Sequence, residues 1–111
     1  MENKEKVIIQ LDFLQGPIWI SDFETGEPLT GIEIIDTDPI IKNLNHTISH
    51  IYTSYYEFDS HDMPCWFNYE KEKADKCKML DLITRLINRL NEINDGSFVI
   101  EDRVTEGLKK L

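Results

Sequence analysis

The run Asp38-Pro39-Ile40-Ile41-Lys42-Asn43-Leu44-Asn45-His46-Thr47-Ile48-Ser49-His50-Ile51-Tyr52-Thr53-Ser54-Tyr55-Tyr56 carries a clear helix start followed by an apolar stripe. An aspartate can cap free helix amides, the residue before proline avoids the helical region, and proline fits the first helical position. A helix is therefore predicted from Pro39 to Tyr56. Ile40, Ile41, Leu44, Ile48, Ile51, Tyr52 and Tyr55 form its apolar stripe, with Asp36 and Asp38 at the positive end of its dipole.

Toward the amino end, Val7, Ile9, Leu11 and Phe13 alternate with Ile8, Gln10, Asp12 and Leu14, the period of a strand that buries one face. Gly16-Pro17 ends it, and Ile18-Trp19-Ile20 reads as a second short strand. Asp22 to Pro28 is turn chemistry carrying three acids and Phe23. Leu29 to Ile35 reads as a third strand weakened by Gly31. Toward the carboxyl end, Glu57 to Pro64 reads as a second acidic loop and Cys65-Trp66-Phe67 as a short buried strand. Asn68 caps a helix from Tyr69 to Ile93, whose core face is Met79, Leu80, Ile83, Leu86, Ile87 and Leu90. Asn94-Asp95-Gly96 stops it, Ser97–Glu101 is a final strand, and Thr105–Leu111 forms a last short helix. The expected fold is α+β: one domain over residues 1–111, with an antiparallel or mixed sheet of about 4–5 strands and two main helices packed against one face.

The chain has 111 residues, with 21 acids against 12 bases, for a formal net charge of -9. The excess is local. Residues 7–68 hold ten acids and a single base, Lys42, whereas residues 69–111 hold nine of each. Such a field repels nucleic acid and anionic membrane and favours a basic partner. No stretch is apolar enough to span a bilayer, and Glu2 and Glu5 lie where a signal peptide is basic, so a cytoplasmic protein is expected. Cys65 and Cys77, without a C-x-x-C pair, fit reduced thiols better than a disulfide framework.

Catalytic signatures are weak. His46 and His50 have the four-residue spacing at which two imidazoles share a zinc ion, but Thr47 stands where H-E-x-x-H needs its glutamate, so two polar histidines on a solvated face are the better reading. Asp36, Asp38, Asp59 and Asp62 lack the ligand spacing and glycine of a calcium loop. Cys65 beside His61 is better read as a small packed residue than as a nucleophile with its base. No glycine-rich phosphate loop or Gly-x-Ser-x-Gly occurs. No cofactor, metal, small-molecule substrate or enzymatic activity is expected. What remains is a recognition surface in which loop acids accompany aromatics: Asp22, Phe23, Glu24 and Glu27, and Tyr56, Glu57, Asp59, His61 and Asp62.

The runs Leu14-Gln15-Gly16-Pro17-Ile18-Trp19, Thr30-Gly31-Ile32 with Ile35-Asp36, Pro64-Cys65-Trp66-Phe67, and Arg89-Leu90-Asn91-Glu92-Ile93-Asn94-Asp95-Gly96-Ser97-Phe98 with Glu101-Asp102 resemble, in order and spacing, immunity proteins of bacterial contact-dependent growth inhibition systems. The resemblance spans roughly residues 7–111. It implies a small cytosolic protein, without catalysis, that binds the carboxy-terminal toxin domain delivered by a neighbouring cell and blocks its active site. The branch it resembles is paired with ribonuclease A-like toxins. It implies a one-to-one complex with a basic nuclease, and it names no interface residue. An acidic inhibitor of another basic nucleic-acid-binding protein would share the charge. A metal-dependent enzyme using His46 and His50 is the remote alternative.

Overall fold

The computed structural model describes residues 5–60 and 63–111, without the side chains of residues 58–65. Helix α2 (Pro39–Thr53) begins where Asp38 caps it, one carboxylate oxygen accepting from the amides of Ile40 at 2.9 Å and Ile41 at 3.0 Å. The other oxygen accepts Arg89 Nη2 at 2.7 Å and Nε at 3.1 Å, a fork reaching over from α4 (Lys76–Ile93). One side chain thus starts α2 and fastens it to α4. Between the two helices, Ile41 and Ile48 meet Met79, Ile83, Leu86 and Leu90 in the buried core.

That core is covered by a three-stranded mixed sheet of order β2-β1-β5, formed by β1 (Glu5–Ile9), β2 (Ile18–Trp19) and β5 (Phe98–Asp102). Strand β2 runs antiparallel to β1, pairing Ile9 with Ile18, and β5 runs parallel to it, from Glu5 opposite Phe98 to Ile9 opposite Asp102. Val7, Ile9, Ile18 and Phe98 are the buried members, as the alternation in β1 requires. The α+β class is the expected one, but the strands divide into two sheets. The second is a hairpin of β3 (Tyr56–Ser60) and β4 (Met63–Phe67).

Several boundaries depart from the sequence reading. The first strand ends at Ile9, because the chain turns at Asp12–Gln15 and comes back so that Gln10 N donates to Pro17 O. Leu29–Ile35 is not a strand. Asp36 turns back to accept from Thr30 N, Thr30 Oγ1 and Gly31 N, with Gly31 at φ +82°, and this ring closes the chain into a short helix α1 (Glu33–Asp36) that buries Ile35. Asp36 therefore serves this turn rather than the start of α2. The Glu57–Pro64 segment is not an acidic loop either: Glu57 and Asp59 lie on β3, and α2 stops at Thr53 so that Tyr56 opens that strand. The helix from Asn68 is two helices, α3 (Tyr69–Ala74) and α4, parted at Asp75, whose carboxylate accepts the Tyr55 hydroxyl at 2.9 Å. Asn68 caps α3 as expected, accepting from Lys71 N at 3.0 Å. Gly96 at φ +96° reverses the chain into β5, and α5 (Thr105–Lys109) closes the fold with Leu108 buried.

Burial raises the Asp38 pKa, but hydrogen bonds from Arg89 and the Ile41 and Ile40 amides, with the charge of Arg89, more than offset it, leaving the carboxyl below its ordinary 3.8. A depressed folded-state pKa contributes stability above the unfolded value, lost as pH falls through the folded one. Asp38→Asn, which keeps the cap and removes the charged pair, is expected to lower stability at pH 7 by about 1–3 kcal/mol. Asp38→Ala should lose about 1 kcal/mol more. Urea unfolding across pH 2–7 checks both, and the gap between the parent and the Asp38→Asn variant should close toward the acid end.

Candidate protein-contact surface

Asn45 lies on α2 and is fully buried. Its carbonyl oxygen accepts from Ile18 N at 3.1 Å, and its amide donates to Ser21 Oγ and to Gly26 O, both at 2.8 Å. Gly16 backs it so closely that a Cβ there would sit 2.6 Å from the amide. Asn45 therefore ties three points of the segment 16–28 to one helix turn. Gly26, at φ +77°, lets the loop lie flat on α2, since a Cβ would meet His46 Cβ at 2.4 Å and Lys42 O at 2.8 Å. Beyond it, Phe23 stacks on His50 with ring centroids 4.3 Å apart, and His50 lies 4.2 Å from His46. The Asp22 carboxylate closes the loop internally, accepting from the amides of Glu24 and Thr25.

The same side of α2 continues to the hairpin. Lys42, His46, His50 and Thr53 follow one another at spacings of four, four and three, which places them along one helical face. Thr53 Oγ1 accepts from Leu14 N at 3.2 Å, and Phe13 packs on Tyr56 at 4.7 Å. Segment 12–28 thus runs the length of the helix, from Gly26 at its amino-terminal half to Phe13 at the hairpin. Tyr56 sits among Tyr52, Phe67 and Phe13, with ring centroids 4.7–5.9 Å away. Glu57 is half-buried and accepts from Asn68 Nδ2.

Asp22, Glu24 and Glu27 are exposed, and among the described residues none of them forms an ion pair. Of the acids in residues 7–68, Asp38 alone takes part in one among the described residues. Basic side chains that do pair, Lys6, Arg85, Arg89 and Arg103, engage Glu101, Asp81, Asp38 and Glu92, none of them a loop carboxylate.

Of the residues expected at the surface, Asp22, Phe23, Glu24 and Glu27 are brought together on the loop, while Tyr56 and Glu57 stand at the far end of the same helix face. The side chain of Asp59, together with His61 and Asp62, lies outside the described residues. Phe23 is half-buried on His50, an anchor for the loop rather than a free contact. His46 is half-buried beneath the loop and His50 is exposed, so the solvated face expected for the pair holds for His50 alone. The histidine pair gains no third ligand: among the described residues no three His, Cys, Asp or Glu side chains lie close enough to hold a metal. Nor is any described helix long and apolar enough to cross a membrane. Residues that the sequence reading passed over are Asn45, which shapes the loop, and Phe13, Phe67, Tyr69 and Glu72 around the hairpin. Asn45 has a readable signal, since it sits in phase with Ile41, Ile48 and Tyr52 on the apolar stripe. The chain matches no family model, no curated protein and no solved structure.

Asn45→Ala removes three buried hydrogen bonds and leaves Ile18 N and Gly26 O unpaired, so it is expected to cost about 2–4 kcal/mol. Hydrogen exchange should show amides 21–28 opening before the β1–β5 ladder in that variant. Simultaneous, uniform loss of protection would contradict the role of Asn45 as the loop's specific tether.

Proposed function

We propose that the chain is an immunity protein that binds and neutralises the carboxy-terminal toxin domain of a contact-dependent growth inhibition effector. It acts in the cytoplasm as a one-to-one complex. The toxin in this reading is a nuclease, most simply a ribonuclease, whose active cleft must attract a polyanion and is therefore basic. Carboxylates of this chain occupy that cleft in place of phosphates, making charge-assisted hydrogen bonds.

The observation that supports the reading is the Asp22–Glu27 loop. Its exposed carboxylates have no cationic partner among the described residues, yet its backbone is fastened by Asn45, Gly26 and the Phe23–His50 stack. A preformed array of this kind loses little conformational entropy on binding. The order and spacing of the runs that resemble such immunity proteins are independent support. An acid excess kept only for solubility would not need a fastened loop.

Changing Asp22, Glu24 and Glu27 together to lysine is expected to weaken toxin binding by roughly 100-fold or more and to abolish growth protection. Unfolding should remain cooperative, because none of the three carboxylates bonds outside the loop, Asp22 accepting only from the Glu24 and Thr25 amides. Glu70→Lys with Glu106→Lys, also exposed, is the control that should protect as the parent does. The decisive assay is coexpression with the toxin domain encoded immediately upstream, followed by copurification and calorimetry. Full protection by the folded triple variant would move the interface off this loop. Absence of any complex would remove the immunity reading.

A further inference from the structure

Beside the hairpin lies a hollow of about 350 Å³ lined by Tyr52, Tyr56, Phe67, Tyr69 and Glu72. Its walls are mutually braced rings: Phe67 meets Tyr69 at 4.8 Å, Tyr56 at 5.0 Å and Tyr52 at 5.6 Å. Each element delivers its share for local reasons. Tyr52 comes from the last turns of α2, Tyr56 and Phe67 face each other across the β3–β4 register, and Tyr69 and Glu72 stand one turn apart on α3. Tyr69 is 71% exposed although it is a large aromatic.

Glu72 is half-buried, and its carboxylate forms no hydrogen bond or ion pair with any described residue. Burial holds its pKa above the ordinary carboxylate value. Three cations near it, Lys71, Lys76 and Arg103, the last lining a second hollow with Glu72, bond other groups. Lys71 Nζ donates to Ser54 O, Lys76 Nζ donates to the carbonyls of Lys109 and Leu111, and Arg103 binds Glu101 and Gln10. An aromatic hollow beside an uncompensated carboxylate is complementary to a cation with a flat apolar face: ring quadrupoles attract the charge, and the carboxylate accepts its N–H groups.

We infer that this hollow seats an arginine side chain of the protein partner, its guanidinium stacked on the tyrosines and hydrogen-bonded to Glu72. Arginine fits better than lysine because its planar fork stacks on rings and bonds a carboxylate through two nitrogens, whereas an ammonium is a compact, strongly hydrated point charge. The seat would supply an anchor at the hairpin end of α2, with the acidic loop toward the other end. The identity of the partner as a toxin rests on the immunity reading, but the chemistry of the seat does not.

The test has two arms. In the first, the isolated chain is titrated with N-acetyl-arginine methylamide, and with its neutral citrulline counterpart, while ring proton shifts are followed. Tyr52, Tyr56, Phe67 and Tyr69 should shift with the arginine compound only, and Glu72→Gln should suppress the shifts at least fivefold. No shift at those rings, or equal shifts with citrulline, overturns the seat whether or not a toxin binds. In the second arm, Glu72→Gln is expected to weaken the toxin complex at least tenfold. Since the folded-state pKa of Glu72 is raised, its ionised form opposes folding at neutral pH, so the variant should unfold no earlier than the parent. A toxin complex unaffected by Glu72→Gln overturns the seat and leaves the immunity reading standing; no complex with the parent chain removes that reading, and the seat is then decided by the first arm.

Discussion

Much of this molecule's surface depends on one buried amide. Asn45 occupies a position on α2 that the helical repeat assigns to the core, where a leucine would pack and a lone polar group would be costly. It is kept because three partners converge on it: the Ile18 amide at the start of β2, the Ser21 hydroxyl and the Gly26 carbonyl. Through them the edge strand and the acidic loop take their positions from the same helix turn. Gly16 and Gly26 are consequences of that closeness, since a side chain at either would collide with α2. The polar network is small and almost fully satisfied, which is the condition under which such networks specify a single arrangement.

A division of electrostatic labour follows. From Tyr69 onward acids and bases balance, and the pairs there are local ones between residues two to four positions apart: Arg85 with Asp81, Arg89 with Glu92, Arg103 with Glu101. Arg89 also reaches across to Asp38, where partial burial and a bidentate fork make the pair matter more than a surface contact does. Before Tyr69 some carboxylates close backbone turns, as Asp36 and Asp22 do, and others stand exposed without a partner among the described residues, as Glu24 and Glu27 do. The first kind is stabilising in place. The second gains energy only when something cationic arrives, and it repels nucleic acid until then.

How much was legible depended on whether the signal was local. Helix α2 announced its start through Asp38-Pro39, and α4 its core face through Met79, Ile83, Leu86 and Leu90, because capping and periodicity are written in adjacent residues. Leu29–Ile35 misled because its isoleucines alternate like a strand, whereas the outcome was set by Asp36 folding back on Thr30 and Gly31. Glu57 to Pro64 looked like a loop by its acids, yet Tyr56, Phe58, Trp66 and Phe67 pair two strands that no composition rule connects. The loop acids were readable as candidates. Their shared helix face was not, since it depends on Asn45 and on Phe13 meeting Tyr56, contacts between residues 19 to 43 positions apart.

Under the proposed function a basic protein docks on one face of α2, between the Asp22–Glu27 loop and the Tyr52–Glu57 end. Hydrogen exchange of the chain, free and mixed with the toxin domain of the proposed effector, is the measurement that decides this. New protection is expected in residues 22–27 and 52–57, fading as salt is raised. Protection confined to residues 76–111, or none at all, would contradict it.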